Sequence, residues 1–466
     1  MNHSPRRLEY PLVLAVIAGF AMARQAVADE TSQPASRRPN IVILLADDLG
    51  YADLGFQGGR DIPTPHLDAL AASGTRCTNG YVSGPYCSPT RAGLLTGRYQ
   101  ERFGHEFNPG GEARSADNVG LPVTETTIAD RLKSAGYVTG LVGKWHLGSA
   151  PKFHPQRRGF DEFFGFLGGA HAYFPERNAA PIYRGKEVVE EKEYLTDAFA
   201  REAVAFIDRH QKQPFFLYLA FNAVHTPMHA TDARLAKFQS IGDERRRTYA
   251  AMTSAMDDAV GRVLDKLRET GLTNDTLIFF FSDNGGPTMR TTTINGSRNT
   301  PLRGSKRTTL EGGVRVPFVI SWPEKVPAAK VYDRTLIQLD VLPTALAAAG
   351  VEVKPDWKLD GVNLLPYLRG TSADAPHETL YWRFGEQMAL RRGDWKLVRY
   401  DALADDGPAR AVSPVRLYNL ADDIGESHDV AAMHADLVKE LTSTWSAWNA
   451  QLAPPLWGQA VRPGAD

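Results

Sequence analysis

The stretch that decides the fold is Ile41-Val42-Ile43-Leu44-Leu45-Ala46-Asp47-Asp48. Six apolar residues follow one another without a polar interruption, and the first three are β-branched. A run of this kind is typical of a strand that is buried on both faces inside a parallel sheet. The two aspartates place acidic groups directly after the end of that strand.

Strand-like and helix-like segments alternate up to about residue 370. Continuous apolar runs predict further strands at residues 137–142, 215–221, 277–281 and 316–321. Helical spacing of apolar residues predicts helices at residues 124–135, 196–210, 246–269 and 340–349. Because such strands are joined by crossovers, we predict an α/β domain over residues 39–370, with a mostly parallel central sheet covered by helices on both sides.

The pattern changes after about residue 370, where short runs are separated by turn residues such as Arg392-Gly393-Asp394. These runs, at residues 380–384, 388–391, 395–400 and 415–420, predict an antiparallel meander. A helix is predicted near residues 435–448. We therefore expect a smaller C-terminal subdomain, an antiparallel sheet plus a helix, over residues 371–455.

The N-terminus has the pattern of a signal peptide over residues 1–28. Arg6 and Arg7 precede an apolar run at residues 11–23, and the small residues Ala26 and Ala28 follow. The run is shorter than the about 20 residues that a membrane span needs. We predict cleavage near Ala28, export to the periplasm or the medium, and no stable membrane insertion.

Charge and cysteine content exclude some classes and leave one question open. The formal net charge of -1 does not favour a nucleic-acid-binding protein. The chain has two cysteines, Cys77 and Cys87. In an exported protein they could form one disulfide, or one of them could be chemically special and leave the other unpaired.

Several polar residues follow the predicted strands, at the edge where ligands bind in parallel sheets. They are Asp47, Asp48, Lys144, His146, Asn222, His225, Asp283 and Asn284. Carboxylate and amide oxygens are the ligands that hard dications such as calcium or magnesium prefer. Three carboxylates gathered at one place would repel one another strongly without a cation. The sequence therefore predicts a metal site formed by Asp47, Asp48, Asp283 and Asn284.

The segment CSPTRAGLLTGR at residues 87–98 resembles the signature of the formylglycine-dependent (type I) sulfatase family, within the alkaline-phosphatase-like superfamily. Four further segments agree with that family in the same order along the chain: LADDLG at 45–50, GKWHLG at 143–148, FSDNGG at 281–286, and RGSK at 303–306 leading to EGG at 311–313. The resemblance extends from about residue 39 to residue 429.

The resemblance implies that Cys87 is oxidised to formylglycine by a maturation enzyme. A hydroxyl of the hydrated aldehyde would attack sulfur, and the second hydroxyl would then expel sulfate and regenerate the aldehyde. Asp283 would help to orient or deprotonate the attacking group. The resemblance also implies one calcium ion, with a ligand set of Asp47, Asp48, modified Cys87, Asp283 and Asn284.

Five further residues take catalytic roles by the same resemblance. Arg91 and Lys144 would hold the diol and the sulfate oxygens. His146 would be the base for the elimination step. His225 and Lys306 would bind sulfate and stabilise or protonate the leaving oxygen.

Some relatives place a serine near the sulfate, where this chain has Ala170 or His171. We therefore predict that His171 contacts sulfate or a sugar. Tyr173, Phe174 and Tyr183 are candidates to stack on sugars. We expect Cys77 to stay an unpaired thiol, because a disulfide with Cys87 would block the conversion.

The predicted substrate is a sulfated carbohydrate or an aryl sulfate. Two alternatives remain at this point. One is a phosphate or phosphonate monoester hydrolase of the same superfamily, which would use the same nucleophile on a similar tetrahedral anion. The other is a catalytically inactive sugar-binding relative.

Overall fold

A ten-stranded sheet runs through the computed structural model, which describes Met1 and residues 38–109, 119–177, 180–290, 292–408 and 411–458. The signal peptide predicted at residues 1–28 therefore lies, apart from Met1, outside the described residues. Among the described residues, no helix is both long and apolar enough to cross a membrane.

The strands of the large sheet are β1 (Asn40–Ala46), β2 (Thr75–Cys77), β4 (Val138–Lys144), β5 (Glu162–Phe166), β6 (Ile182–Arg184), β7 (Glu187–Val189), β8 (Phe215–Ala220), β9 (Thr276–Ser282), β10 (Phe318–Ser321) and β11 (Lys330–Tyr332). Their spatial order is β11-β2-β10-β9-β1-β8-β4-β5-β6-β7. The five central strands from β9 to β5 are parallel to one another. Two short strands, β3 (Gly80–Tyr81) and β12 (Leu336–Ile337), form a separate parallel pair.

The helices are α1 (Pro65–Ala72), α2 (Cys87–Thr96), α3 (Ile128–Ser134), α4 (Leu195–His210), α5 (Asp232–Ala236), α6 (Glu244–Glu269), α7 (Glu311–Val314), α8 (Val341–Ala348), α9 (Leu365–Arg369) and α10 (Ala435–Asn449). Alternate residues of β1 point to opposite faces of the sheet. Val42 and Leu44 join the core shared with α1, α4 and α6, whereas Ile41 and Ile43 join the core shared with α2, α3 and α8. Both faces are therefore covered, and the predicted α/β fold class is confirmed.

The C-terminal part contains the predicted antiparallel sheet, with strands β13 (Thr379–Phe384), β14 (Gln387–Arg392), β15 (Trp395–Arg399) and β16 (Arg416–Asn419) in that spatial order. Helix α10 packs against it. The Trp445 indole N–H donates to the Trp382 carbonyl at 3.0 Å, and the Trp448 ring stacks on Tyr381 with centroids 5.0 Å apart.

Two details of the large sheet differ from the sequence-based expectation. The strand predicted at residues 316–321 begins at Phe318 and runs antiparallel to β9. Among its described residues, the segment between β9 and β10 contains only the four-residue helix α7. The chain then returns along the adjacent strand in the opposite direction, without the helix that joins two parallel strands. Residues 162–166, which we did not predict as a strand, form β5 beside β4.

A buried ionic cluster joins the C-terminal antiparallel sheet to α7 and β3. The Lys396 ammonium of β15 lies 2.8 Å from Glu311 Oε1 and 3.0 Å from Glu426 Oε1, and all three side chains are fully buried. Tyr81 of β3 donates its hydroxyl to Glu311 at 2.6 Å. Burial and the neighbouring Glu311 raise the pKa of Glu426 to about 7. The ammonium therefore offsets the repulsion between two carboxylates that are held away from water.

We expect Lys396→Met to lower the free energy of unfolding by about 3–5 kcal/mol, because it leaves two buried carboxylates without their cation. Arg392→Met is the matched control, since the Arg392 guanidinium pairs with the exposed Glu440 at 2.6 Å. Its cost should stay below about 1 kcal/mol. Urea unfolding of both variants measures the difference. Equal losses would contradict the importance of the buried cluster.

Candidate active site

The strand ends gather four oxygen-bearing side chains. Asp47 and Asp48 follow β1, and Asp283 and Asn284 follow β9. Because β1 and β9 are parallel and their last residues lie opposite each other, both pairs emerge at the same edge of the sheet. The Asp48 amide N–H donates to Asp283 Oδ1 at 3.3 Å, and the Asn284 amide donates to Asp48 Oδ1 at 2.8 Å. All four side chains are fully buried. The structure thus brings together the predicted metal ligands.

Two fully buried cations contact the carboxylates. The Lys144 ammonium, at the end of β4, lies 2.5 Å from Asp47 Oδ2. The Arg91 guanidinium, from α2, donates through Nε and Nη2 to Asp283 Oδ2 at 3.0 and 2.8 Å. Arg91 Nη2 also lies 3.8 Å from Asp47 Oδ1. Each cation is therefore fixed in a low-dielectric environment where its charge acts strongly.

Asp48 contacts a third cation and a histidine. Lys306 Nζ lies 2.8 Å from each oxygen of the Asp48 carboxylate. His225 Nε2, from the loop after β8, lies 3.6 Å from Asp48 Oδ2. The second ring nitrogen of His225, Nδ1, lies 2.6 Å from the Thr226 carbonyl oxygen and is therefore its donor. This bond turns Nε2 towards Asp48.

The pKa shifts of the carboxylates and the hydrogen bonding of Asn284 both indicate that a cation fits among these side chains. Burial alone would raise the pKa of Asp47, but Lys144 and His225 lower it below its ordinary value. Burial and the charge of Asp47 raise the pKa of Asp283. The buried Asn284 Oδ1 has no hydrogen-bond partner among the described residues. This donor set of carboxylate and amide oxygens fits a hard dication, which would offset the repulsion between the carboxylates.

Cys87 is the first residue of α2 and lies beside the acidic group. Its Sγ is 3.5 Å from Asp47 Oδ1, and the side chain is 1% exposed. Single ligand atoms of Asp47, Asp48, Cys87 and His225 all lie within 4.8 Å of one another. Burial and the charge of Asp283 raise the pKa of the thiol, so an unmodified side chain would stay protonated. Cys87 and Cys77 are both unpaired, as the sequence analysis expected.

His146 is held in a backbone conformation that non-glycine residues rarely adopt, with φ of 57°. Its carbonyl accepts a hydrogen bond from the Ser88 hydroxyl at 2.6 Å, and Ser88 Oγ in turn accepts from His105 Nε2 at 2.7 Å. A Cβ on Gly169 would lie 2.4 Å from His146 Nε2, so this glycine makes room for the imidazole. Burial and Lys144 lower the pKa of His146, which leaves a neutral ring able to accept a proton.

A pocket of about 1000 Å³ opens above the site. His146, His225 and Lys306 line its base. Other lining side chains, which we did not predict, are Tyr86, Phe107, Asn108, Thr226, Thr292 and Arg307. Tyr86, Thr226 and Arg307 directly adjoin predicted site residues in the sequence, and that adjacency was the one signal the sequence offered. Phe107 and Asn108 had none, because their place depends on the fold.

The candidate substrate-contacting residues between 160 and 183 have different locations in the structure. Tyr183 lines the pocket. Tyr173 is fully buried and donates its hydroxyl to the Asn222 carbonyl at 2.5 Å, so it belongs to the core. The ring nitrogens of His171 lie 2.7 Å and 3.0 Å from the carbonyl oxygens of Ala172 and Ala180. The predicted contact of His171 with sulfate or a sugar would require one of these contacts to break.

Comparison with known protein families agrees with this geometry. The family model described as Sulfatase matches residues 39–351. A second model, described as N-sulphoglucosamine sulphohydrolase, C-terminal, matches residues 304–449. Together they include every residue of the site described above.

Three relatives illustrate the similarity. N-acetylgalactosamine-6-sulfatase of Sus scrofa is 38% identical over 387 residues, which cover 78% of this chain and 72% of that protein. Arylsulfatase A of Bos taurus is 34% identical over 466 residues, covering 90% and 86%. The crystal structure of Ps i-CgsB in complex with k-i-k-neocarrahexaose is 37% identical, covers 91% of this chain and 96% of that chain, and superposes with a TM-score of 0.83.

We expect Asp283→Asn to weaken calcium affinity by roughly 100-fold or more, because it removes one charged ligand from the centre of the acidic group. Asp340→Asn is a matched control, since that buried carboxylate instead accepts the backbone N–H groups of Ile337 and Val362. Calorimetric titration of the metal-depleted proteins with calcium measures both affinities. An unchanged affinity in Asp283→Asn would contradict the ligand set.

Proposed function

The chain belongs to the sulfatase family, and from that premise we propose that this sulfuric ester hydrolase removes sulfate from a carbohydrate, using a nucleophile derived from Cys87 beside a calcium ion. The observation that carries the proposal is the position of Cys87. It begins a buried helix within 3.5 Å of the acidic group, next to a pocket whose base carries a lysine and two histidines. A sulfate ester needs a strong nucleophile, positive charge around its oxygens and a proton for the leaving alcohol.

We propose that Cys87 is converted to formylglycine by a maturation enzyme. The hydrated aldehyde would supply the hydroxyl that attacks sulfur. Two features of the chain support this. The thiol itself is held protonated, which makes it a poor nucleophile. The carboxylates of Asp47 and Asp283 lie beside the side chain and can orient a hydroxyl there or accept its proton.

The calcium ion would be held by oxygen atoms of Asp47, Asp48, Asp283 and Asn284, together with the modified residue 87. Bound there, it would supply positive charge that stabilises the oxygens of the nucleophile and of the sulfuryl group. Two observations support this assignment: the three carboxylates are buried, and Asn284 Oδ1 accepts no hydrogen bond within the described part of the chain.

The cationic side chains and the two histidines have the remaining catalytic roles. Arg91 and Lys144 would hold the nucleophile and the sulfate oxygens, and Lys306 would neutralise the charge that develops on the leaving side. The neutral ring of His146 can accept the proton released in the elimination step. The bond from His225 Nδ1 to a carbonyl keeps one proton on Nδ1, so Nε2 would donate a proton to the leaving oxygen from the imidazolium form of the ring, which the nearby Asp48 carboxylate favours.

A sulfated carbohydrate is the substrate class that the relatives support. Relatives similar to this chain include an N-acetylgalactosamine-6-sulfatase and a protein crystallised with a neocarrahexaose. The half-buried rings of Tyr86, Phe107 and Tyr183 line the pocket and can stack on sugar faces. We also propose that residues 1–28 direct export, since their basic, apolar and small residues follow the order of a signal peptide.

We expect Cys87→Ala to lower turnover of 4-nitrophenyl sulfate by roughly 10⁴- to 10⁶-fold, as loss of a nucleophile does in other hydrolases. Cys87→Ser should stall after one turnover, because a serine sulfate lacks the second hydroxyl that expels sulfate. Cys77→Ala is the matched control, since Cys77 is also buried but belongs to β2. All proteins are coexpressed with a formylglycine-generating enzyme.

Full multiple turnover in either Cys87 variant would contradict the proposed nucleophile. The same wild-type preparation also separates the alternative reaction. Hydrolysis of 4-nitrophenyl sulfate should exceed that of 4-nitrophenyl phosphate, and the opposite preference would favour a phosphate monoester hydrolase.

A further inference from the structure

The ionised side chains that line the pocket are all positively charged. Among its described lining residues the ionised side chains are Lys306 and Arg307, and none is a carboxylate. The proposed reaction uses Lys306 on the sulfate that is cleaved, but it assigns no role to Arg307. A pocket of about 1000 Å³ also holds considerably more than one sulfate group. A second anionic group on the substrate therefore has both the space and the charge to bind.

The backbone of Arg307 is held in a conformation that residues with a Cβ rarely adopt, with φ of 73°. Its N–H donates to the Pro85 carbonyl at 2.7 Å, and its own carbonyl accepts from Gln387 Nε2 at 2.9 Å. The first contact ties Arg307 to the loop that leads into Cys87, and the second ties it to β14. Strained backbone that is fixed from both sides is found preferentially at binding sites.

The side chain of Arg307 lies close to the reaction centre. Its Cζ is 5.9 Å from the centroid of the Tyr86 ring, and Lys306 Nζ is 5.3 Å from the same centroid. Tyr86 directly precedes Cys87, and its ring is half-buried at the pocket wall. The two cations thus lie near the same aromatic ring, which can contact a sugar, and Lys306 also contacts Asp48.

We propose that Arg307 forms an anion subsite that binds a second sulfate or carboxylate of the substrate, so that the enzyme selects polyanionic glycans. The planar guanidinium fork matches two oxygens of either group. This inference rests on the proposed function, because it takes the sugar bearing the cleaved sulfate to lie in the same pocket. It goes further by assigning a residue outside the predicted site and by naming what that residue binds.

The test compares Arg307→Asn with wild type, because asparagine accepts a positive φ better than most residues. Arg307→Lys keeps the charge without the fork, and Arg268→Asn removes an exposed arginine from α6 as the control. The probes are 4-nitrophenyl sulfate, N-acetylgalactosamine 6-sulfate, the chondroitin 6-sulfate disaccharide, and the κ- and ι-neocarratetraoses. The disaccharide adds a carboxylate, and the ι form adds sulfates.

We expect Arg307→Asn to weaken binding of the probes with an added anion by about tenfold or more, as loss of a charge-assisted hydrogen bond does. This should appear as a higher KM in sulfate release and as a higher Kd in calorimetry. Hydrolysis of 4-nitrophenyl sulfate should stay within about twofold of wild type. The disaccharide and the ι-tetraose tell whether the subsite prefers carboxylate or sulfate.

An equal effect of Arg307→Asn on all probes, or no effect on any, would overturn the subsite. Failure of the proposed function gives a different result, since the wild-type enzyme would then release no sulfate from any probe, including the aryl ester. Calorimetry with the same oligosaccharides still decides the subsite in that case.

Discussion

Asp47, Asp48 and Asp283 place three carboxylates close together in a buried site. The cationic side chains of the site balance their negative charge. Their proximity follows from the register of β1 and β9, whose parallel strands end side by side. Like charges at such distances in a low dielectric are costly unless cations face them. Three buried cations do so, from α2, from β4 and from the loop before α7. A sulfate ester requires positive groups of the same kind. The three cations therefore both stabilise the buried carboxylates and serve the proposed chemistry.

The C-terminal sheet takes part in the pocket as well as in the fold. Gln387 of β14 holds the carbonyl of Arg307, while Arg383 of β13 pairs with Glu106 at 2.7 Å, next to Phe107 in the pocket wall. Lys396 fixes this sheet to the segment that contains Glu311. The large sheet and α2 therefore position the reacting groups, whereas the C-terminal antiparallel sheet positions the wall that a sugar would contact.

The sequence predicted most of this architecture because its signals were local. Buried runs such as 277–281 have few alternatives to a strand, and the order of strands and helices then implies a parallel sheet. The direction of β10 was beyond local signals, since it depends on the path of a loop. At the site, side chains directly after strands were found, whereas Phe107 and Asn108 reach the pocket through tertiary packing alone. For His171 the sequence position suggested a substrate contact, but it could not show that both ring nitrogens lie near backbone carbonyl oxygens.

The central claim is that residue 87 acts as an aldehyde and not as a thiol. Trypsin releases residues 77–91 as one peptide, which contains Cys87 and also Cys77 as an internal control. After alkylation, mass spectrometry of this peptide from active enzyme should find one labelled cysteine, Cys77. Compared with cysteine, residue 87 should have lost one sulfur and two hydrogen atoms and gained one oxygen atom. Fully active enzyme in which both cysteines are alkylated would contradict the account.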